Sequence, residues 1–230
     1  KSAKDHNQTP VSVSDSIISM GGIAPILFLM ELADKYDGYA YVDDAHGTSI
    51  IGKNGCGYTL HLLNGQDRSR LILAASLSKG FGTNGAAIVL AKEEDMNMVR
   101  TFCSPYIFNN PPPLAIVESS IASANIHLSE EINQLQTKLW DNLRLFDSLM
   151  KEHLENYKEC SPIRRILIGD ENKTIQFAEA LKDRGILVPP SMFPSVEKGK
   201  AILRVVLSAV HSEGQIRELA KQINEIIKGV

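Results

Sequence analysis

The sequence predicts an α/β fold, in which part of a mostly parallel large-domain sheet is followed by a smaller C-terminal α+β domain. Three observations support this prediction. A segment with the apolar spacing of a helix separates the first two strand-like runs. In the last third of the chain the predicted order is strand, helix, two consecutive strands and helix. Strands joined by helices are typical of parallel sheets. Short apolar runs rich in β-forming residues recur at 38–42, 71–75 and 86–91, and residues 11–15 alternate between apolar and polar as a strand does.

The first helix is predicted for Pro25–Tyr36, where apolar residues recur at the spacing of one helix face. Proline near its start and Gly38 just past its end are common helix boundaries. The segment 47–70 is rich in glycine and polar residues, and we expect a loop with one helical turn near residues 59–63.

The second half is predicted to be mainly helical before the C-terminal strands. Asn109–Pro113 ends one helix, and a long helical stretch follows over 114–157, with Ser129 able to cap a second segment inside it. We therefore place the large domain at 1–125, and a connecting helix with the small domain at 126–230. The remaining elements are helices at 93–101, 173–184 and 213–228 and strands at 163–168, 186–189 and 201–209.

Composition excludes several classes of protein. The chain has 230 residues, a formal net charge of −3 and no basic stripe, so we expect no nucleic-acid partner. No apolar run approaches the roughly 20 residues that a membrane-spanning helix needs. Three cysteines, Cys56, Cys103 and Cys160, are odd in number and widely spaced. We expect neither a disulfide framework nor a metal site, and a reducing cytoplasm fits this pattern.

Two stretches place polar side chains directly after predicted strands. Asp43 and His46 follow the strand at 38–42, and Ser76 and Lys79 follow the strand at 71–75. In an open α/β sheet, ligands bind beyond the carboxyl ends of the strands. An acid, an imidazole, hydroxyls and one lysine are therefore expected to meet in one crevice.

These side chains match the requirements of pyridoxal 5'-phosphate. Lys79 could form the Schiff base, Asp43 could hold the ring nitrogen protonated, His46 could donate to the phenolic oxygen, and Ser76 could reach the phosphate. Each residue alone has a simpler interpretation, since a lysine after a strand is usually solvated and an Asp-Asp pair can start a helix. We assign Asp44 to that second kind and place it off the cofactor.

The segments VDDAHGTSIIGKNGCG and ASLSKGFGTNGAAIVL closely resemble the α-oxoamine synthases. These are fold-type-I pyridoxal-phosphate transferases that include 8-amino-7-oxononanoate synthase, 2-amino-3-ketobutyrate CoA ligase and serine palmitoyltransferase. SDSIISMGGIAPI and VEKGKAILRVVLSAVH are also similar to segments of that family, so the resemblance covers most of the chain.

The resemblance implies a role for each matched residue. Lys79 would carry the cofactor and later move protons at the substrate α-carbon, while Asp43 and His46 would contact the ring nitrogen and the phenolic oxygen. Ser76 would contact the phosphate, and Ser19 would lie beside the ring. Arg204 would hold the carboxylate of the amino acid, because a guanidinium binds both oxygens at once.

The resemblance also implies a reaction and its partners. A small amino acid would condense with an acyl thioester such as acyl-CoA and lose carbon dioxide to give an α-amino ketone, in a cytoplasmic homodimer. Two alternatives stay open: an aminotransferase or lyase on the same fold, and a non-catalytic fragment or subunit.

Three features depart from the family pattern. The N-terminal half of the family's large domain is absent, so this chain alone is expected to hold the cofactor incompletely. Gly21 replaces a usual aspartate. Asn109 lies where the family has hydroxyl groups that help to bind phosphate across a dimer interface.

Overall fold

The computed structural model describes residues 6–228, so the outermost ends of both predicted domains, residues 1–5 and 229–230, lie outside it. The chain divides into two compact units. The first unit runs to Ile17 and resumes over Ala24–Asn133, and the second comprises Ile18–Ile23 and the chain from Gln134 onward. The predicted domain boundary between residues 125 and 126 falls inside a helix of the first unit, and the division into those two domains stays a prediction.

A four-stranded sheet forms the centre of the first unit, with the strands in the order β1-β2-β3-β4. The first three strands are parallel and β4 is antiparallel, which confirms the predicted mostly parallel sheet. The strands are β1 (Val11–Asp15), β2 (Tyr39–Asp43), β3 (Leu71–Ser76) and β4 (Ala86–Leu90).

The direction of β4 follows from the length of the connection before it. Only the nine residues 77–85 separate β3 from β4. A parallel crossover needs a dozen residues or more, whereas an antiparallel return needs only a turn. The connection therefore folds back as a turn at the carboxyl end of β3.

Helices and one 3₁₀ turn complete the first unit. The first helix packs on β2 with Ile26, Met30 and Ala33 buried, because these residues share one helix face. Its C-terminus is closed by the N–H of Gly38, which donates to the Ala33 carbonyl at 2.8 Å. The helices are α1 (Ile26–Lys35), α2 (Tyr58–Leu62), α3 (Glu93–Phe102), α4 (Ser104–Ile107) and α5 (Leu114–His127), with the 3₁₀ turn at Lys53–Gly55.

The second unit packs helices around a three-stranded antiparallel sheet, ordered β5-β7-β6. Arg164 of that sheet is buried and forms a bidentate ion pair with Asp147, at 2.5 and 2.9 Å. The elements are α6 (Glu131–Met150), a 3₁₀ turn (Lys151–His153), β5 (Ile163–Gly169), α7 (Glu171–Asp183), β6 (Pro190–Ser191), β7 (Ala201–Val206) and α8 (Glu213–Lys228).

Three predicted elements of the second unit are wrong in extent or position. The strand predicted at 201–209 is β7, which ends at Val206. The helix predicted to reach residue 157 ends at Met150, because the chain beyond it runs beside β5. There the side chain of Asn156 donates to the Ile163 carbonyl at 2.8 Å and accepts from the Arg165 N–H at 2.9 Å. The strand predicted at 186–189 lies instead at β6, two residues long.

No helix within residues 6–228 has the length and apolar character needed to cross a membrane.

Candidate active site

The carboxyl end of β2 carries the first candidate residues. Asp43 is the last residue of β2, and residues 44–57, which we call the aspartate loop, follow it. The loop begins with a tight turn, because the carbonyl oxygen of Asp44 accepts from both the N–H and the hydroxyl of Thr48, each at 2.8 Å. His46 lies within this turn.

The connection between β3 and β4 carries Lys79. We call residues 77–85 the lysine loop. Its base is closed by two backbone hydrogen bonds, from Thr83 N–H to the Leu77 carbonyl at 2.8 Å and from Leu77 N–H to the Gly85 carbonyl at 2.9 Å. Lys79 therefore lies on a short loop that is held at both of its ends.

The two loops meet at the carboxyl edge of the sheet. Lys79 Nζ lies 3.0 Å from His46 Nε2, within hydrogen-bond distance. The backbones also approach closely, because a Cβ atom added at Gly80 would lie 2.7 Å from the carbonyl oxygen of Thr48. The structure thus brings Lys79 and His46 together beside the strand that ends in Asp43.

Ser76 is the last residue of β3, at the entrance to the lysine loop. Its Oγ lies 2.9 Å from Ser78 Oγ and accepts a hydrogen bond of 3.3 Å from the Ser78 N–H. Both hydroxyls are near the surface, where an anion could reach them. The assignment of Ser76 to a phosphate stays a prediction.

Asp44 differs sharply from the neighbouring Asp43. Its side chain is fully buried and accepts hydrogen bonds from the hydroxyl of Ser16 and from the N–H and hydroxyl of Thr59, the latter two at 3.4 and 3.2 Å. Thr59 lies in the first turn of α2, so the carboxylate of Asp44, 15 positions earlier in the sequence, accepts a hydrogen bond from a backbone N–H at the start of that helix. Burial raises the pKa of Asp44 to about 6, although the hydrogen bonds from Ser16 and Thr59 oppose this rise.

Two glycines leave room for the Asp44 carboxylate. A Cβ atom at Gly47 would lie 2.3 Å from Asp44 Oδ1, and one at Gly57 would lie 2.1 Å from Oδ2. Gly57 also has a φ of +94°, a conformation that residues with a side chain rarely adopt. The glycine-rich character of the loop is therefore explained by the carboxylate that it encloses.

One acidic residue at this edge was missed by the sequence analysis. Asp15 ends β1 in register with Asp43 of β2, so two acids end adjacent parallel strands at the same level. The signal was present in the sequence, because Asp15 ends the strand predicted at 11–15 and Asp43 directly follows the strand predicted at 38–42.

Ser19 and Arg204, the other two predicted residues, belong to the second unit. Arg204 Nε donates to the carbonyl oxygen of Ser19 at 2.6 Å, so the structure brings these two together. Burial lowers the pKa of Arg204. The prediction that the Ser19 side chain lies beside a cofactor ring is untested.

A second arginine accompanies Arg204. Arg165 of β5 is directly opposite Arg204 of β7 in the antiparallel register, and its side chain packs against Gly21. Like charges in this position repel each other. Glu155 and Glu159 approach the Arg165 guanidinium at 4.0 and 3.9 Å and partly offset that repulsion. A residue larger than Gly21 would displace Arg165, which gives a physical reason for glycine in place of the family's usual aspartate.

Comparison with known proteins decides the family. Residues 16–223 match the family described as aminotransferase class I and II. The chain belongs to this family. Within it, the resemblance to α-oxoamine synthases is confirmed: the chain is 33% identical over 232 residues to the 8-amino-7-oxononanoate synthase of Petrotoga mobilis, covering 100% of this chain and 58% of that protein.

Solved structures agree with this placement and with the fold-type-I architecture. SPT with a PLP internal aldimine superposes with a TM-score of 0.86 at 25% identity, covering 96% of this chain and 56% of that one. The 8-amino-7-oxononanoate synthase of Francisella tularensis gives a TM-score of 0.79 at 25% identity, covering 99% and 66%. The chain thus spans little more than half the length of the Petrotoga relative and of SPT.

Proposed function

We propose that this chain is part of a pyridoxal-phosphate-dependent acyltransferase. The enzyme would condense a small amino acid with an acyl thioester such as acyl-CoA, with loss of carbon dioxide, to give an α-amino ketone. One observation carries the proposal: Lys79 Nζ lies 3.0 Å from His46 Nε2, at the carboxyl ends of two parallel strands of which one ends in Asp43.

The residues of the first unit fit pyridoxal phosphate. The amine of Lys79 is near the surface, on a loop whose glycine allows close backbone approach, so an aldehyde could reach it. Asp43 and His46 would bind the ring nitrogen and the phenolic oxygen, and Ser76 would donate to the phosphate. When bound, the cofactor supplies an electron sink for the substrate's α-carbon.

Each protein group would then have a defined task. Asp43 would hold a proton at the ring nitrogen, and His46 would orient the ring through the phenolic oxygen. Lys79, once displaced by the amino acid, would remove and return a proton at the α-carbon. Arg204 would bind the substrate carboxylate with two parallel N–H donors, and Ser19 would lie beside the ring.

Quaternary structure and compartment belong to the same proposal. The resemblance supports a cytoplasmic homodimer, and the three cysteines, which form no disulfide with one another, agree with a reducing compartment. Several large apolar side chains of the first unit are exposed, among them Phe102, Phe108 and Leu114, and a second subunit could cover them. Light scattering of the purified full-length protein at several concentrations tests the oligomeric state.

The decisive experiment compares Lys79→Ala with Lys92→Ala, which removes another exposed lysine of the same unit. The full-length protein is incubated with pyridoxal phosphate, and the visible absorbance band of the lysine-bound cofactor is recorded. We expect this band in the wild type and in Lys92→Ala but not in Lys79→Ala. Absence of the band in the wild type would refute the proposal.

A second assay separates the proposed reaction from transamination. The protein, loaded with cofactor, is given glycine, alanine or serine together with acyl-CoAs of increasing length. Acyl transfer releases free thiol and carbon dioxide in equal amounts, whereas transamination releases neither. Formation of a keto acid without thiol would favour the aminotransferase alternative.

A further inference from the structure

His127, the last residue of α5, touches both loops of the candidate site. Its side chain is buried and lies within hydrogen-bond distance of Ser49, which is 78 positions away in the sequence. Neither the sequence motifs nor the proposed chemistry gives this residue a role. Its contacts are unusual because they join segments that are distant along the chain.

The hydrogen bonds of the imidazole are directional. Nδ1 lies 2.8 Å from the carbonyl oxygen of Ser123, one turn earlier in α5, and must donate its hydrogen to it. In the neutral ring this leaves Nε2 as an acceptor, and it lies 2.8 Å from the hydroxyl of Ser49 in the aspartate loop. Helix α5 therefore fixes the ring, and the ring binds the aspartate loop.

The imidazole of His127 also contacts the lysine loop. The ring of Phe81, two residues after Lys79, lies 4.7 Å from the His127 ring between centroids and is tilted by 34°. Ser123 of the same helix donates its hydroxyl to the Phe81 carbonyl at 2.5 Å. The end of α5 thus holds the backbone and the side chain of the residue that follows Lys79-Gly80.

The aspartate loop is shaped to receive the imidazole. Ser49 has a φ of +74°, which is strained for a residue with a side chain, and this conformation carries its hydroxyl to His127. Gly55 packs against the ring edge, since a Cβ atom there would lie 2.6 Å from His127 Cδ2. A strained serine and a close-packed glycine indicate that the position of this ring matters to the loop.

We propose that His127 is a positioning residue that fixes the aspartate loop relative to the lysine loop and thereby holds His46 within reach of Lys79. This inference rests on the proposed function for its catalytic meaning. The positioning itself is a property of the protein without cofactor and can be tested separately.

The test uses the full-length protein and three variants. His127→Phe keeps a ring against Phe81 but loses both hydrogen bonds, whereas His127→Gln keeps a polar group that can bond to Ser49. Met30→Ala is the control, because Met30 is buried between α1 and the sheet and its truncation destabilises the same unit without touching either loop.

Two measurements are made on each variant. Hydrogen exchange of the cofactor-free protein reports the amides of Gly47, Thr48 and Ser49 in the aspartate loop and of Leu77 and Thr83 in the lysine loop. Titration with pyridoxal phosphate gives its apparent Kd. For His127→Phe we expect faster exchange in both loops and a Kd about tenfold higher, the order expected for loss of the one hydrogen bond, to Ser49, that joins the ring to the aspartate loop.

His127→Gln should restore most of both properties, and Met30→Ala should lower the melting temperature without changing either loop selectively. Wild-type exchange and Kd in His127→Phe would overturn the proposal, and so would identical loop effects in Met30→Ala. If the wild type binds no cofactor, the proposed function fails, while the exchange pattern still decides whether His127 positions the loops.

Discussion

The buried carboxylate of Asp44 should make the stability of the protein depend on pH, and Asp44→Asn should remove that dependence. The substitution keeps the shape and one acceptor oxygen of the side chain, which Ser16 and Thr59 can still use. It replaces a titrating group with a neutral one. The difference between variant and wild type therefore isolates the ionisation of this one group.

The magnitude follows from the pKa of Asp44 in the folded protein. Burial raises it from 3.8 to about 6, and about 1.4 kcal/mol per pH unit gives about 3 kcal/mol. A raised pKa means that the folded state holds the proton more tightly than the unfolded state. The contribution is therefore fully present below pH 3.8 and is lost as the pH rises through about 6.

Chemical denaturation at a series of pH values between about 4 and 8 measures this effect. The unfolding free energy of Asp44→Asn minus that of the wild type should rise by about 3 kcal/mol as the pH increases across that range. The size of this difference at the acid end does not affect the expected rise. Glu118→Gln, at an exposed position of α5, makes the same change in formal charge and serves as the control for net charge.

A constant difference between Asp44→Asn and the wild type over the whole pH range would refute this reasoning. It would mean that Asp44 titrates alike in the folded and unfolded states. A falling difference would mean that the fold favours the ionised carboxylate, so that the hydrogen bonds from Ser16 and Thr59 outweigh burial.

Three further substitutions test the candidate site and its framework. Asp43→Asn should weaken cofactor binding and lower turnover about a hundredfold or more, since the ring nitrogen loses its charged partner; near-normal turnover would exclude this carboxylate. Arg204→Ala should raise the KM for the amino acid about tenfold or more, and an unchanged KM would move the carboxylate site elsewhere. Gly57→Ala should lower the unfolding free energy by about 3 kcal/mol, because the methyl group would collide with Asp44. Gly65→Ala, with a φ of +77° and nothing within 4 Å, controls for backbone strain alone and should cost about 1 kcal/mol in a denaturant titration.

The sequence predicted the parts of the fold that depend on local pattern. The parallel strands β1, β2 and β3 and helix α1 were recognisable because apolar periodicity differs between strand and helix. The antiparallel direction of β4 was not predicted, since the pattern within a strand carries no direction. The helix end at Met150 was missed because it depends on Asn156 bonding to a distant strand, a contact that local periodicity does not encode.

The candidate site was predicted in part for the same reason. Lys79 and His46 could be predicted to meet because both follow neighbouring strands. The burial of Asp44 could also have been predicted from the alternation of side chains along a strand. Ala40 and Val42 are buried at two-residue spacing, and Asp44 continues that series. His127 could not be found this way, because its partners outside α5 lie in the aspartate loop and the lysine loop, which only the folded chain brings to it.

The segment Ile18–Ile23 has a consequence for cutting this protein into pieces. The chain leaves the first unit after Ile17 and returns at Ala24, so the second unit is assembled from two separate stretches of sequence. A fragment that starts at Gln134 would lack the carbonyl oxygen of Ser19, which accepts a hydrogen bond from Arg204. It would also lack the N–H of Gly22, which donates to Glu159 at 3.0 Å. Expression of the C-terminal half by itself should therefore yield a partly unfolded product, and adding the excised hexapeptide through a linker should restore its order.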